Sequence, residues 1–307
     1  MEARKAVLLM AYGTPDRLED VEPYYTHIRH GKKPTQDEVQ NLKERYSIIG
    51  GRTPLLEITQ STASKLGRAL EPRGMRVYSG MKHWHPYISE VFPEIVSDGN
   101  TDVLSIALAP HYSKMSIGSY QDAVCEANRA NGERMRLRFV DSWHLNSIFI
   151  DKWQKRVEKA VSEHFASRKN ELFYLFTAHS LPERILNWND PYRDQLLSTS
   201  SKIAEQLCID ESRFGFSFQS SGHTSEPWLG PDILDKLKEL ARDGRKAILV
   251  IPIGFVSDHL EILYDIDTET QELARKLGVE VARTESFNDS SDFIEVLESV
   301  VEKSGFA

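Results

Sequence analysis

Lys246–Glu272 reads KAILVIPIGFVSDHLEILYDIDTETQE, and the change of apolar period along it sets the architecture. Ala247–Ile253 is an unbroken apolar run of strand length, as expected of a strand buried on both faces. A turn follows, and from Ser257, with Asp258 in the first turn, apolar residues recur at helical spacing. Strand, turn and helix in that order form the repeating unit of an α/β protein. Working outward, seven more strand-sized runs are predicted at 6–11, 75–79, 103–109, 135–140, 172–177, 213–219 and 279–283. Helical stretches lie between them, closed by signals such as Asp98-Gly99 and Gly244. Four runs fall in each half, and the runs starting at 103 and 135 recur at the same offset at 247 and 279. The pattern predicts two similar lobes, each with a four-stranded, mostly parallel sheet flanked by helices, divided near Asp141–Trp143. No low-complexity linker separates them, so they are expected to meet in a tight cleft.

A finer echo follows the first strand of each half: Ala11-Tyr12-Gly13-Thr14-Pro15 against Ala178-His179-Ser180-Leu181-Pro182. In both, a ring-bearing residue is followed by a small one, with proline three positions after the ring. This places Tyr12 and His179 at the carboxyl ends of equivalent strands, where open α/β sheets bind their ligands.

Composition narrows the function. Lys plus Arg number 38 against 46 Asp plus Glu, a net charge of −8, which gives no electrostatic footprint for nucleic acid. With 40% hydrophobic and 27% charged residues in 307, the chain is expected to fold, with ample length for a core. Its longest apolar runs fall far short of the ~20 residues that span a bilayer, and the N-terminus reads as a first strand rather than a signal peptide. A cytoplasmic protein without a transmembrane segment is expected. Cys125 and Cys208 are the two cysteines, too few for an ordinary iron-sulfur cluster, and are read as structural thiols. No G-x-G-x-x-G, P-loop or G-x-S-x-G motif is present, which argues against a dinucleotide cradle, an NTPase or a serine hydrolase.

The chemistry gathers on the opening segment. Glu261, Asp265 and Glu269 recur at i, i+4 and i+8, stacking three carboxylates on one helical face. Such a row is a solvated acidic face or a line of oxygen ligands and proton acceptors for a hard divalent cation. His179, ending the apolar run FYLFTAH, is its candidate inner partner, since imidazole binds Fe(II)-class metals and accepts protons near neutral pH. His27, His30, His111, His144, His164, His223 and His259 show no ligand-type spacing and are read as surface or packing residues. His83 and His85 stand between the two classes.

Taken together these segments resemble the ferrochelatases, and among them the short form of Gram-positive bacteria that metallates coproporphyrin III. The likeness runs through LLMAYGTP (8–15), YYTHIRHGKKP (24–34), RYSIIGGRTPL (45–55), LAPHYS (108–113), TAHSLPER (177–184), NDPY (189–192), EPWLGPD (226–232) and GFVSDHLEILYD (254–265). It implies two Rossmann-like lobes of the chelatase type, 1–141 and 142–287, with a C-terminal helix in 288–307 returning to the first lobe and a porphyrin cleft between them. It further implies that His179 and Glu261 are the catalytic, metal-binding pair on one face of the macrocycle, with Tyr12 on the other face as axial ligand to the product iron. Tyr12 also leans toward coproporphyrin, because relatives acting on protoporphyrin generally lack tyrosine there. Arg29, Arg45, Tyr46, Thr53 and Tyr120 match positions contacting the porphyrin and its propionates. Asp265 and Glu269 match an outer metal site, able to take Mg2+, on a helix with an irregular turn.

By the same resemblance Fe2+ is a substrate rather than a bound cofactor and coproporphyrin III is the second substrate. Downstream haem-pathway enzymes as partners and a monomeric chain are further expectations. Ser221 departs from the family pattern, where close relatives carry glutamate. Thr53 replaces a serine and keeps its hydroxyl, and IDTETQE after Asp265 replaces an aromatic and cysteine-containing run. These departures leave three alternatives: a protoporphyrin IX ferrochelatase, a non-catalytic porphyrin or haem carrier, and a cobalt chelatase for sirohydrochlorin. The Tyr12 and Arg29 segments argue against the last.

Overall fold

The computed structural model describes residues 4–222 and 226–306; His223 lies outside them. The strands are β1 (Lys5–Ala11), β2 (Met75–Met81), β3 (Asp102–Ala107), β4 (Arg136–Val140), β5 (Phe173–His179), β6 (Phe214–Gln219), β7 (Ala247–Ile251) and β8 (Glu280–Arg283). They form two parallel sheets of four, in the orders β2-β1-β3-β4 and β6-β5-β7-β8. The second sheet repeats the first, so the two lobes and their mostly parallel sheets stand as the sequence pattern predicted. β1 and β5 hold the same place, which sets Tyr12 and His179 at matching strand ends. The ends differ from expectation by one or two residues, and two of the shifts bear on the site. β7 stops at Ile251, because Pro252 has no N–H for the ladder. β5 runs on to His179, paired with Gln219 of β6.

The helices are α1 (Val21–Ile28), α2 (Gln36–Ile48), α3 (Leu55–Leu70), α4 (Ile88–Ser97), α5 (Ser119–Ala130), α6 (Ser147–His164), α7 (Tyr192–Gln206), α8 (Ile233–Arg242), α9 (Leu260–Leu263), α10 (Gln271–Leu277) and α11 (Ser291–Lys303). Their ends follow local chemistry. Thr35 and Glu38 close a capping box on α2, Asn146 caps α6, and Gly278 ends α10 in the left-handed conformation. The helix predicted from Ser257 begins instead at Leu260, after His259 in extended backbone. Asp258 is drawn away from it: its carboxylate accepts hydrogen bonds from Ser286 and Asn288 and pairs with Arg283.

The core explains why the lobes hold together. One continuous apolar cluster takes Val7 and Leu9 from β1, Leu104 from β3, Phe176 from β5, Ile251 from β7 and the inner faces of α6 and α11. Its aromatic centre joins Trp143, Phe149, Trp153, Phe287 and Phe293, with ring centroids 4.9–6.1 Å apart. Fully buried aromatic residues of this kind cost about 3–5 kcal/mol each when cut to alanine. α11 packs on both α3 and α6. The opposite faces of the two sheets carry separate clusters, around Phe92 and around Leu237 and Ile266. Among the described residues no helix is long and apolar enough to cross a membrane.

Candidate active site

The turn after β7 delivers the acidic row to the end of β5. Gly254 donates its N–H to Thr177 O at 3.2 Å, and a Cβ on Gly254 would lie 2.5 Å from Ala178 Cβ. Glycine is therefore what lets the chain pass tightly against β5 before turning into α9. Glu261, in the first turn of α9, arrives with Oε1 3.3 Å from His179 Nε2, and each side chain is 30% exposed. Gln219 locks the two elements: its Nε2 donates to Glu261 O at 2.7 Å, while Thr177 donates to its Oε1 at 2.9 Å.

Both ring nitrogens of His179 have work. Nδ1 faces Ser180 O, which only accepts, so Nδ1 carries a proton and Nε2 is left for the carboxylate. Burial alone would lower the His179 pKa, but the charge and hydrogen bond of Glu261, helped by Ser180 O, push it up to about 9. Burial acts on Glu261 in the opposite sense and is also outweighed: His179 and His259 hold its carboxyl well below the ordinary range. At neutral pH the ligand-free site is thus an imidazolium–carboxylate pair. His259, expected to be a surface or packing residue, belongs to it, with Nε2 2.9 Å from Glu261 Oε2 and Nδ1 2.9 Å from Ser257 O.

Tyr12 follows β1, packed at a tilt against His83 with ring centroids 4.5 Å apart. His83 meets His27 at 3.1 Å, Nδ1 to Nδ1, and burial lowers its pKa to about 3, so it is neutral. Tyr12 is 42% exposed yet deeply walled, and burial followed by the field of Glu261 pushes its phenol well above its usual pKa. The same carboxylate acts on Tyr24, Tyr46 and Tyr120 from the first lobe and on Tyr192 from the second. Glu261 therefore sits within electrostatic reach of phenols from both lobes, Tyr12 among them.

Gly13 holds Tyr12 in place. Its φ is +99°, and a Cβ would stand 2.8 Å from the Trp84 backbone nitrogen, while Tyr24 donates to its carbonyl at 3.0 Å. Gly13→Ala is expected to destabilise the protein by at least about 2 kcal/mol in urea unfolding, through left-handed strain and overpacking, and to displace Tyr12.

Beside Tyr12 in the first lobe, Thr53 donates to Thr14 Oγ1 at 2.9 Å, and Thr14 shares a 3.3 Å hydrogen bond with Tyr46. Arg29 pairs with Glu38 at 2.6 Å. Arg45 pairs with Asp265 and stacks on Tyr264 at 4.5 Å. The acidic row runs from half-buried Glu261 through Asp265, whose side chain is 4% exposed, to exposed Glu269. Over Asp265–Thr270 the helix widens to π geometry, where Thr268 and Thr270 donate to the carbonyls of Leu263 and Asp265. Burial raises the Asp265 pKa to about 6 against the pull of Arg45 and Ser220, with Glu261 and Glu269 adding to the rise. Among the described residues no three His, Cys, Asp or Glu side chains form a metal cage, so the row is a line rather than a cluster. A cavity of about 640 Å³ lined by Arg138, Trp143, His144 and Lys303 lies on the seam between the 141–146 loop and α11 and includes none of the predicted site residues.

Comparison with known proteins bears on this geometry. The ferrochelatase family profile matches residues 4–305. A ferrochelatase of Herpetosiphon aurantiacus is 46% identical over 98% of this chain and 99% of its own. A coproporphyrin III ferrochelatase of Oceanobacillus iheyensis is 40% identical over 99% and 98%. Among solved structures, SirB from Bacillus subtilis with Fe3+ superposes with a TM-score of 0.57 at 12% identity, covering 98% of this chain and 95% of that one, which is a likeness of fold. The whole-length profile match and full-length relatives well above 30% identity settle the family: this chain belongs to the ferrochelatases.

Proposed function

We propose that this chain inserts Fe(II) into coproporphyrin III, releasing two pyrrole protons and giving Fe-coproporphyrin. The observation that carries the reading is the His179–Glu261 pair at the end of β5, with Tyr12 at the equivalent end of β1 and within the field of Glu261. Full-length relatives named coproporphyrin III ferrochelatase support the choice of porphyrin. Metallation has two difficulties in water: the ion must shed its hydration, and a flat ring must expose nitrogen lone pairs to one face. An imidazole and a carboxylate poised together can replace water on the ion and take the departing protons. A cleft that grips the ring edge can use that binding to bend it.

In this reading His179 and Glu261 are the catalytic, metal-binding pair, and Tyr12 approaches from the other face as axial ligand to the product iron. Arg29, Arg45, Tyr46, Thr53 and Tyr120 meet the porphyrin and its propionates, for which guanidinium and hydroxyl donors suit carboxylates. Asp265 and Glu269 form an outer site able to hold Mg2+ and feed the inner pair. The functional division is 1–141 with 288–307 against 142–287, and the protein acts as a cytoplasmic monomer that hands its product to a downstream haem-pathway enzyme. The direct test is anaerobic Fe(II) insertion into coproporphyrin III followed by absorbance. Loss of the free-porphyrin spectrum at a catalytic rate supports the reading, whereas tight binding without metallation points to a carrier.

A further inference from the structure

We infer that Lys82 is the counter-ion for a peripheral carboxylate that tetracarboxylic porphyrins carry and dicarboxylic porphyrins lack. The inference deepens the proposed function and rests on it. Lys82 follows the last residue of β2, and its backbone N–H donates to Ala11 O at 2.9 Å, one residue before Tyr12. Its side chain reaches over the first turn of α5, donating to Ser119 Oγ with the ammonium 5.5 Å from the centre of the Tyr120 ring. The main-chain tie to the residue before Tyr12 and the reach to Tyr120 thus place the ammonium on the side of the first lobe that carries Tyr12.

What singles Lys82 out is its lack of an acid. Arg29 and Arg45 are already neutralised by Glu38 and Asp265. Among the described residues no carboxylate pairs with Lys82, and Asp122 acts on it only through space, while burial pushes its pKa down. A half-buried cation without a counter-charge gains more from an incoming carboxylate than one already paired. Its place also differs. Arg29 and Arg45 hang from α1 and α2, whereas Lys82 stands between β2 and α5. Coproporphyrin III carries one propionate on each of its four pyrrole rings and so presents carboxylates around its whole perimeter, whereas in deuteroporphyrin IX two neighbouring rings hold both. Cations spread along the rim fit the first.

The test compares the parent with Lys82→Met and Lys82→Arg, titrating coproporphyrin III and deuteroporphyrin IX in the absence of metal. Lys82→Met should weaken coproporphyrin III binding about tenfold and flatten its salt dependence, with deuteroporphyrin IX within twofold of the parent. Lys82→Arg should recover coproporphyrin binding to within about threefold, and kcat should stay within twofold in both variants. Unchanged coproporphyrin binding, or an equal loss for both porphyrins, would overturn the inference. Because binding is read without metal, a parent that binds the tetracarboxylate but leaves it unmetallated contradicts the proposed function, while the titration still decides the role of Lys82.

Discussion

His179→Ala is expected to lower Fe(II) insertion by about 10²–10⁴-fold, the range for a positioned acid–base group, while coproporphyrin III still binds with little change. The substitution removes the group facing Glu261 Oε1 at 3.3 Å and leaves the carboxylate with His259 alone. It should not unfold the lobe. Tyr192 reaches the His179 backbone carbonyl rather than its ring, and the pairing of β5 with β6 uses main-chain groups. A fall in kcat with porphyrin affinity retained is the signature of a group acting in the chemical step. Circular dichroism and porphyrin titration guard against a misfolded variant. Turnover within about threefold of the parent would remove His179 from the mechanism.

Much of this site was legible in the sequence, for physical reasons that also mark where legibility ended. Central strands buried on both faces announce themselves as unbroken apolar runs, and all eight strands were found, the half-exposed β4 and β8 included, with ends shifted by one or two residues, as where Pro252 stopped a ladder or Gln219 extended one. The paired Tyr12 and His179 motifs were readable because the two sheets share a topology. His259 was not. Its spacing of two from Glu261 places the pair on different sides of a helix, but His259 precedes α9 in extended backbone, with φ −157° and ψ −175°, so its ring is not bound to the helical spacing. The reading failed because it began the helix at Ser257, whereas Asp258 is committed to Ser286 and Asn288. Tyr24 and Tyr192 were missed for a different reason. Each is a buried aromatic on an amphipathic helix, and only the folded chain shows that its hydroxyl lies within the field of Glu261.

The coupling between His179 and Glu261 makes a second large effect predictable. A metal ion can take His179 Nε2 only when the proton there has left, and the pair holds that proton up to a pKa of about 9. Metal binding to the porphyrin-free protein should therefore strengthen about tenfold per pH unit between pH 6 and 8, levelling off near pH 9. Glu261 adds no second proton, since its carboxyl is held well below the ordinary range. The same shift governs the apo protein. The histidine pKa is raised above its unfolded value of ~6.5, so the histidine's contribution to stability is lost as pH rises through about 9, while that of the depressed Glu261 carboxyl is lost only in acid. Glu261→Gln separates this account from a general effect of pH. Without the carboxylate, only Ser180 O and the field of Asp265 still oppose burial and the His179 pKa falls, so the slope should level off at a clearly lower pH even though affinity is weaker overall. Zn(II) or Co(II) titrations of the two proteins across this range read the slopes directly. A parent slope near zero, or an undiminished slope in Glu261→Gln, would show that the proton displaced by the metal does not sit between these two side chains.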